Sequence, residues 1–422
     1  MAIHPSLEQN GVPASLLIVG GFTVLFSFVS LIVKERLFIS QPLLATLVGV
    51  LFGPVALNFW DPFAWEQGAW LSVTRQFGAC IIAIQIFASC LPFTKIWWME
   101  NWQSLAVMLL PVSAYMWMAT SLLVWAIVRC SFVNALIIGA VLTPTDPVLA
   151  NSIVKGRFAD MHVSRAVQEL LSVESGGNDA VAIPYFSLAL FLVEFYEYFD
   201  LHDYKLKSLG DVFLKWFLEG VLYEVVLAVV LGFVLGYGAR WLLEESEERG
   251  WIDNESILAF SIALSLFVLG VADILGLASF FAVWVAGICF AWDGWFAEQT
   301  KNSHLQEVID NLLSTAFFIY FGTTVPFSSF NSESVPIWHL VLLSLGLLFL
   351  RRLPAVSVAY PLLRKLNNHH EAYFVGWFGP IGVGALWYAA YAVDKGAVDP
   401  VIVPVTWWMV LTSLVVHGAR YV

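Results

Sequence analysis

S-V-E-S-G-G-N-D-A-V-A-I-P-Y, running from Ser172 to Tyr185, is the stretch on which the fold of this chain turns. It carries two carboxylates, an amide and a hydroxyl inside a region too apolar for a water-exposed helix. A carboxylate at bilayer depth costs several kcal/mol, so it marks a functional site by default. On a helix, Ser175 and Asp179 share one face, and Glu174 and Asn178 share the neighbouring face. Gly176 and Gly177 between them leave a groove that lets another backbone come close. The structural alternative is a pair of buried acids satisfied by neighbouring helices.

Composition extends that reading to the whole chain. The 422 residues are 59% hydrophobic and only 12% charged, with a mean hydropathy of +0.79. A soluble domain is about half apolar and a quarter charged, so the class is an all-α polytopic membrane protein lying in a lipid bilayer. The net charge of −12 is no partner signal, and nothing is basic enough for nucleic acid. Cys80, Cys90, Cys130 and Cys289 lack metal-ligand spacing and read as small buried hydrophobes. The 19 tryptophans suit interfacial belts, for example Trp97, Trp98 and Trp102, or Trp407 and Trp408. Residues 1–13 are polar and the first apolar run, 14–33, lacks a basic front, so no cleavable leader is expected. Nor is any soluble domain expected: 1–422 reads as a single transmembrane domain ending just after its last span.

Thirteen spans are expected, at 14–33, 37–57, 76–93, 103–128, 133–154, 166–193, 212–240, 255–271, 274–292, 308–330, 337–363, 371–393 and 399–418. Most reach the roughly 20 residues that a crossing helix needs. Of the 20 Lys and Arg, twelve fall in connections on one side, six on the other, and Arg351 and Arg352 lie within a span. The positive-inside rule puts the C-terminus in the cytoplasm and the N-terminus outside. The acidic run from Glu194 to Asp211 then falls outside. The sequon at Asn254-Glu255-Ser256 falls in the cytoplasm and is expected to be unused.

Two spans are unlike ordinary apolar helices. The span 133–154 carries T-P-T-D-P (Thr143–Pro147) at its middle, and 371–393 carries G-W-F-G-P-I-G-V-G (Gly376–Gly384). An internal proline costs a helix about 3 kcal/mol or more, so a continuous helix around Asp146 is not expected. Broken backbone at membrane depth is tolerated where it is buried in protein or lines an aqueous cavity. A pair of such spans in corresponding halves points to a transporter of inverted six-helix repeats with its site at the midplane; unrelated proline kinks are the alternative.

Asp179, Ser175, Asp146 and Thr145 offer hard oxygen ligands, the type suited to Na⁺ or Li⁺ rather than to a soft metal. One carboxylate there answers to both burial and a bound cation, and so holds either a proton or a sodium ion. A buried arginine needs a carboxylate partner, and Glu174 is the spare one; snorkelling to the interface is the alternative for Arg351 and Arg352. Asp273 is a third intramembrane acid, near a short connection, where a solvated loop position competes with a functional one. His369 and His370 fall in a cytoplasmic loop, with weak support for pH sensing. No nucleophile elbow, Walker motif or dinucleotide fingerprint is present, so neither an enzyme nor an ATP-driven pump is supported, and no cofactor is expected.

Several motifs in order resemble one family: T-P-T-D-P-V-L-A (Thr143–Ala150), E-S-G-G-N-D (Glu174–Asp179), F-A-W-D-G-W-F (Phe290–Phe296), F-L-R-R-L-P-A-V (Phe349–Val356), G-W-F-G-P-I-G-V-G-A (Gly376–Ala385) and T-S-L-V-V-H-G (Thr412–Gly418). Together they resemble the fungal plasma-membrane sodium/proton antiporters of the cation/proton antiporter superfamily. The resemblance implies thirteen helices with two crossed, discontinuous ones, and a homodimer. It implies a moving core that includes 76–193 and 308–393, against dimerisation helices that include 14–57 and 212–292. It implies Asp179 as the shared cation and proton site, with Asp146, Ser175 and Thr145 around the cation, and Glu174 paired with Arg352. Electrogenic relatives carry a second aspartate where this chain has Asn178, so the resemblance implies one-for-one exchange. One stretch departs: the acidic pair of the fungal members is replaced by Leu277-Ala278-Ser279, and Asp273 resembles the acidic position of the animal exchangers.

The expected function is therefore secondary antiport of Na⁺ or Li⁺, with K⁺ a further candidate, against protons. A non-transporting ion-responsive sensor or scaffold is the rival. A channel is disfavoured because the site is single and acidic, without a ring of equivalent ligands.

Overall fold

The computed structural model describes residues 11–418 apart from 38, 155–156, 198–207, 302, 304, 334 and 397. Thirteen helical segments follow the expected spans in order: α1 (Val12–Leu31), α2 (Gln41–Phe52), α3 (Ala69–Cys90), α4 (Lys95–Val128), α5 (Phe132–Val141 and Pro147–Val154), α6 (Arg165–Glu197), α7 (Leu209–Glu248), α8 (Asn254–Ile274), α9 (Ser279–Phe290), α10 (Leu305–Thr323), α11 (Ile337–Leu362), α12 (His369–Trp377 and Val383–Asp394) and α13 (Ile402–Gly418). Seven of these are long and apolar enough, by length and composition, to cross a membrane. No β-strand occurs among the described residues.

The segment ends sort onto two faces. At the first face Arg75 pairs with Asp394 at 3.1 Å, and the Asp399 amide donates to Asn134 Oδ1 at 3.1 Å. At the second face Lys365 pairs with Glu169 at 2.8 Å, the Lys95 amide donates to the Trp292 carbonyl at 2.8 Å, and the Ser40 amide to the Gly418 carbonyl at 2.7 Å. These contacts join the ends that an alternating, thirteen-pass path brings together.

Helix boundaries follow capping chemistry more than hydropathy. Asp253 accepts the Ser256 amide at 2.7 Å and starts α8. Ser208 and Asp211 form a reciprocal capping box at the start of α7. α2 stops at Gly53-Pro54 and is shorter than the expected 37–57. α4 begins at Lys95, eight residues before the expected 103, because its first turns are polar but still helical.

Close backbone approach builds the seams. α7 lies along α9 where Gly236 meets Ala286, so that a Cβ on Gly236 would sit 2.7 Å from the Ala286 Cα. The outward sides of α1 and α7 are apolar and little buried, as a lipid-facing surface requires. Two tryptophans expected in interfacial belts are instead interior. Trp407 is fully buried and donates to Thr324 Oγ1 at 3.2 Å; Trp98 donates to the Phe93 carbonyl at 3.1 Å. An indole whose N–H finds a protein partner has no need of the interface. Trp102 is exposed, as expected.

Among the described residues the cysteines form no disulfide. His369 and His370 are exposed at the start of α12. Arg420 and Lys155, counted in the charge asymmetry, lie outside the described residues, as does most of the acidic run 194–211.

Candidate functional site

Both proline-marked helices are interrupted, and the interruptions touch. α5 breaks over 142–146 and α12 over 378–382. Across the gap, the Asp146 amide donates to the Pro380 carbonyl at 2.8 Å. The Asp146 side chain then serves both restarting helices: Oδ2 accepts the Leu149 amide at 2.9 Å and Oδ1 the Val383 amide at 3.1 Å. Orphan amides at a helix start carry partial positive charge, so one carboxylate caps two helices.

The complementary carbonyls are held by Arg351, which is 4% exposed. Its Nη1 donates to the Gly379 carbonyl at 2.7 Å, and its Nη2 to the Thr143 and Pro144 carbonyls at 2.9 and 3.3 Å. Arg351 therefore does not snorkel. It binds carbonyls in both breaks, while Asp146 accepts the amides of both restarting helices.

Arg352, its neighbour, faces α6. It meets Glu174 with two hydrogen bonds, of 2.7 and 3.0 Å, and its Nε donates to the Val375 carbonyl at 2.9 Å. This fork-on-carboxylate geometry is the strongest form of such a pair. Asn178 joins three helices: its Nδ2 donates to Thr145 Oγ1 at 2.9 Å and to Glu174 Oε1, and its Oδ1 accepts from Ser113 Oγ at 2.9 Å.

Asp179 is different. It is 1% exposed, and neither carboxylate oxygen accepts a hydrogen bond. Only its backbone carbonyl is engaged, by the Tyr388 hydroxyl at 2.6 Å. Gly384 lies against it: a Cβ there would fall on Asp179 Oδ1 and within 3.0 Å of its Cγ. A Cβ at Gly382 would meet Asp146 in the same way. The G-V-G spacing of α12 thus lets two acids lean onto its backbone. Ser175, also 1% exposed, donates to the Ser172 carbonyl at 3.2 Å.

The structure gathers Asp146, Thr145, Glu174, Asn178, Arg351 and Arg352 into one connected network, with Asp179 and Ser175 on the adjoining turns of α6. Asp273 lies apart, exposed at the end of α8. It lines a cavity of about 710 Å³ at the first face, together with Glu194, Lys215, Glu224 and Lys395. The cavity reaches Ile183, one turn from Asp179, and Tyr388. Ser113, Tyr388 and Glu224 carried no signal in the sequence reading. Each is one of several polar residues in its helix, and nothing in the local pattern sets it apart.

Two interrupted helices crossing beside buried aspartates define a polytopic membrane protein of the crossed-helix transporter fold. Comparison with known proteins agrees. The family model described as sodium/hydrogen exchanger, transmembrane, matches residues 23–420, and this chain belongs to that family. It is 37% identical to a Na(+)/H(+) antiporter of Saccharomyces cerevisiae over 99% of its own length and 44% of the relative's. It is 36% identical to Na(+)/H(+) antiporter 2 of Zygosaccharomyces rouxii, spanning 51% of that protein. A Na(+)/H(+) antiporter of Schizosaccharomyces pombe is 31% identical, with 90% of its length covered. The chain thus spans about half the length of the first two relatives. Among solved structures, a sodium proton antiporter from Methanocaldococcus jannaschii superposes with a TM-score of 0.71 at 17% identity, over 97% of this chain and 100% of the other. At that identity the likeness speaks to the fold.

Proposed function

We propose that this protein is an electroneutral secondary antiporter, exchanging Na⁺ or Li⁺ for H⁺ at Asp179, with K⁺ as a further candidate. The observation that carries the reading is Asp179: a wholly buried carboxylate with both oxygens unpartnered. An unpaired buried charge is costly, so the group is stable only when it holds a proton or a cation. Asp146, Thr145 and Ser175 are the oxygens we assign to share the cation; in support, Asp146 and Asp179 lean on glycines two residues apart in α12, and Thr145 is bonded to Asn178, the neighbour of Asp179. Asp146 is already committed to two amides, and Glu174 to Arg352. Asn178 does not titrate, and arginine stays protonated. One group changes partner per cycle, and one cation replaces one proton.

The cavity at the first face is the route to the site in this state, and alternating access closes it while opening the second face. In this proposal the moving core includes 76–193 and 308–393, and the scaffold includes 14–57 and 212–292. α3 packs on α6 and α12 as well as on α8 and α9, and so runs along the boundary. The scaffold's apolar outer side supports a homodimer. The charge asymmetry supports an N-terminus outside and a C-terminus in the cytoplasm. The resemblance of the motifs to fungal plasma-membrane antiporters is the ground for proposing a plasma-membrane location, with roles in salt tolerance and in pH and cation homeostasis.

The test is cation-driven proton flux in proteoliposomes under an imposed diffusion potential. The expected result is flux with Na⁺ and Li⁺ whose reversal point does not move with voltage. A voltage-dependent reversal point would rule out one-for-one exchange, and absence of flux would favour the sensor reading.

A further inference from the structure

Away from the crossing, α10 carries an acid that neither the motifs nor the proposed exchange uses. Asp310 lies five residues into α10, about 8 Å along the helix from its start at the second face. Its Oδ1 accepts from Gln85 Nε2 at 3.0 Å and from Ser314 Oγ at 3.4 Å, and Gln85 Nε2 also meets Ser314 Oγ at 3.1 Å. Gln85 and Ser314 are each 4% exposed.

The amide of Gln85 is half used. Its nitrogen serves two acceptors, while its Oε1, on the same carbon, is buried and has no donor. A buried amide oxygen without a partner forfeits about 1–3 kcal/mol, so this orientation is held less firmly than that of a fully bonded amide. Rotating the amide by half a turn puts Oε1 where Nε2 now sits. Asp310 Oδ1, Ser314 Oγ and Gln85 Oε1 then converge as three hard oxygens, the donor type that alkali cations take.

The position is on the way to the crossing. α3 packs against α10, α6 and the second half of α5. Ser89, one turn beyond Gln85, lies so close to Gly176 of α6 that a Cβ there would be 2.9 Å from the Ser89 Cβ.

We propose that Asp310, Ser314 and Gln85 form a second, staging site for a partly dehydrated monovalent alkali cation, between the second face and the Asp179 site. The proposal rests on the antiport reading for its purpose but not for its test. Gln85 is the switch: its nitrogen holds Asp310 when the site is empty, and its oxygen joins the cation when it is filled.

Equilibrium binding of radioactive Na⁺ to the purified full chain separates the two sites. Wild-type protein is expected to bind two Na⁺ per chain, Asp179→Asn one, and Asp179→Asn with Asp310→Asn none. Gln85→Leu in the Asp179→Asn background should weaken the remaining site about tenfold, equivalent to about 1.4 kcal/mol. Asp310→Glu should retain binding and controls for folding. In transport, Asp310→Asn should raise KM for Na⁺ presented at the second face about tenfold, and Asp310→Glu should restore it. A merely structural role would lower the maximal rate from both faces. Loss of all Na⁺ binding in Asp179→Asn would overturn the staging site while leaving the antiport reading intact. Binding untouched by Asp179→Asn would count against the assignment of Asp179 instead.

Discussion

Asp146 and Asp179 are both 1% exposed, yet their surroundings are opposites. The loop around Asp146 spends its carboxylate on structure, with one oxygen on each restarting helix. The middle of α6 presents Asp179 with no donor at all. Burial by itself does not make a site. A buried acid with each oxygen bound to an amide holds the fold even where it also lies beside a cation, and one with both oxygens open is available to titrate.

The largest effect expected from this contrast is on Asp179→Asn, which should reduce cation-dependent proton flux to background without lowering the melting temperature. Residual flux well above protein-free liposomes would erase the distinction. Next comes Glu174→Ala, which strands Arg352 and should destabilise by about 3–5 kcal/mol. Adding Arg352→Ala should recover much of that loss, read as a non-additive melting temperature. Full additivity would mean that the two side chains are not energetically coupled.

Asp146→Asn should cost about 1–3 kcal/mol, because the amide keeps one acceptor and turns a donor toward a backbone N–H. A melting temperature that falls for Asp146→Asn but not for Asp179→Asn would sharpen the comparison; equal losses would break it. Gly384→Ala should be the mildest, with the protein folded and the KM for cations altered, since the added methyl displaces Asp179. Unchanged KM would show that the carboxylate has room to move away.

Much of this was legible in the residues. The prolines of T-P-T-D-P break a helix and the clustered Gly and Pro of G-P-I-G-V-G weaken one, so both interruptions could be read, and thirteen helical segments follow the thirteen expected spans. The destination of Arg351 was not legible. Its partners are backbone carbonyls from two distant segments, and a carbonyl has no sequence signature. Ser113 and Tyr388 were hidden because hydroxyl residues in membrane helices more often bond their own helix, as Thr143 does to the Gly139 carbonyl at 2.8 Å. The interior tryptophans misled because composition counts indoles without saying where each N–H ends.

The double brace formed by Asp146 and Arg351 has a mechanical consequence. Charge-assisted hydrogen bonds are worth about 1.5–3 kcal/mol each, and several tie α5, α11 and α12 at one point. Such a joint is a weld rather than a hinge. Sliding α5 past α12 would break it wholesale, whereas other seams are fastened more lightly. Between α6 and α7, Gly220 lies against Ser187, the Trp216 indole donates to the Pro184 carbonyl at 2.9 Å, and Lys215 meets Glu194 at 3.4 Å near the surface. Slip belongs at seams of that kind, and in the proposed exchange cycle the welded crossing would travel as one piece.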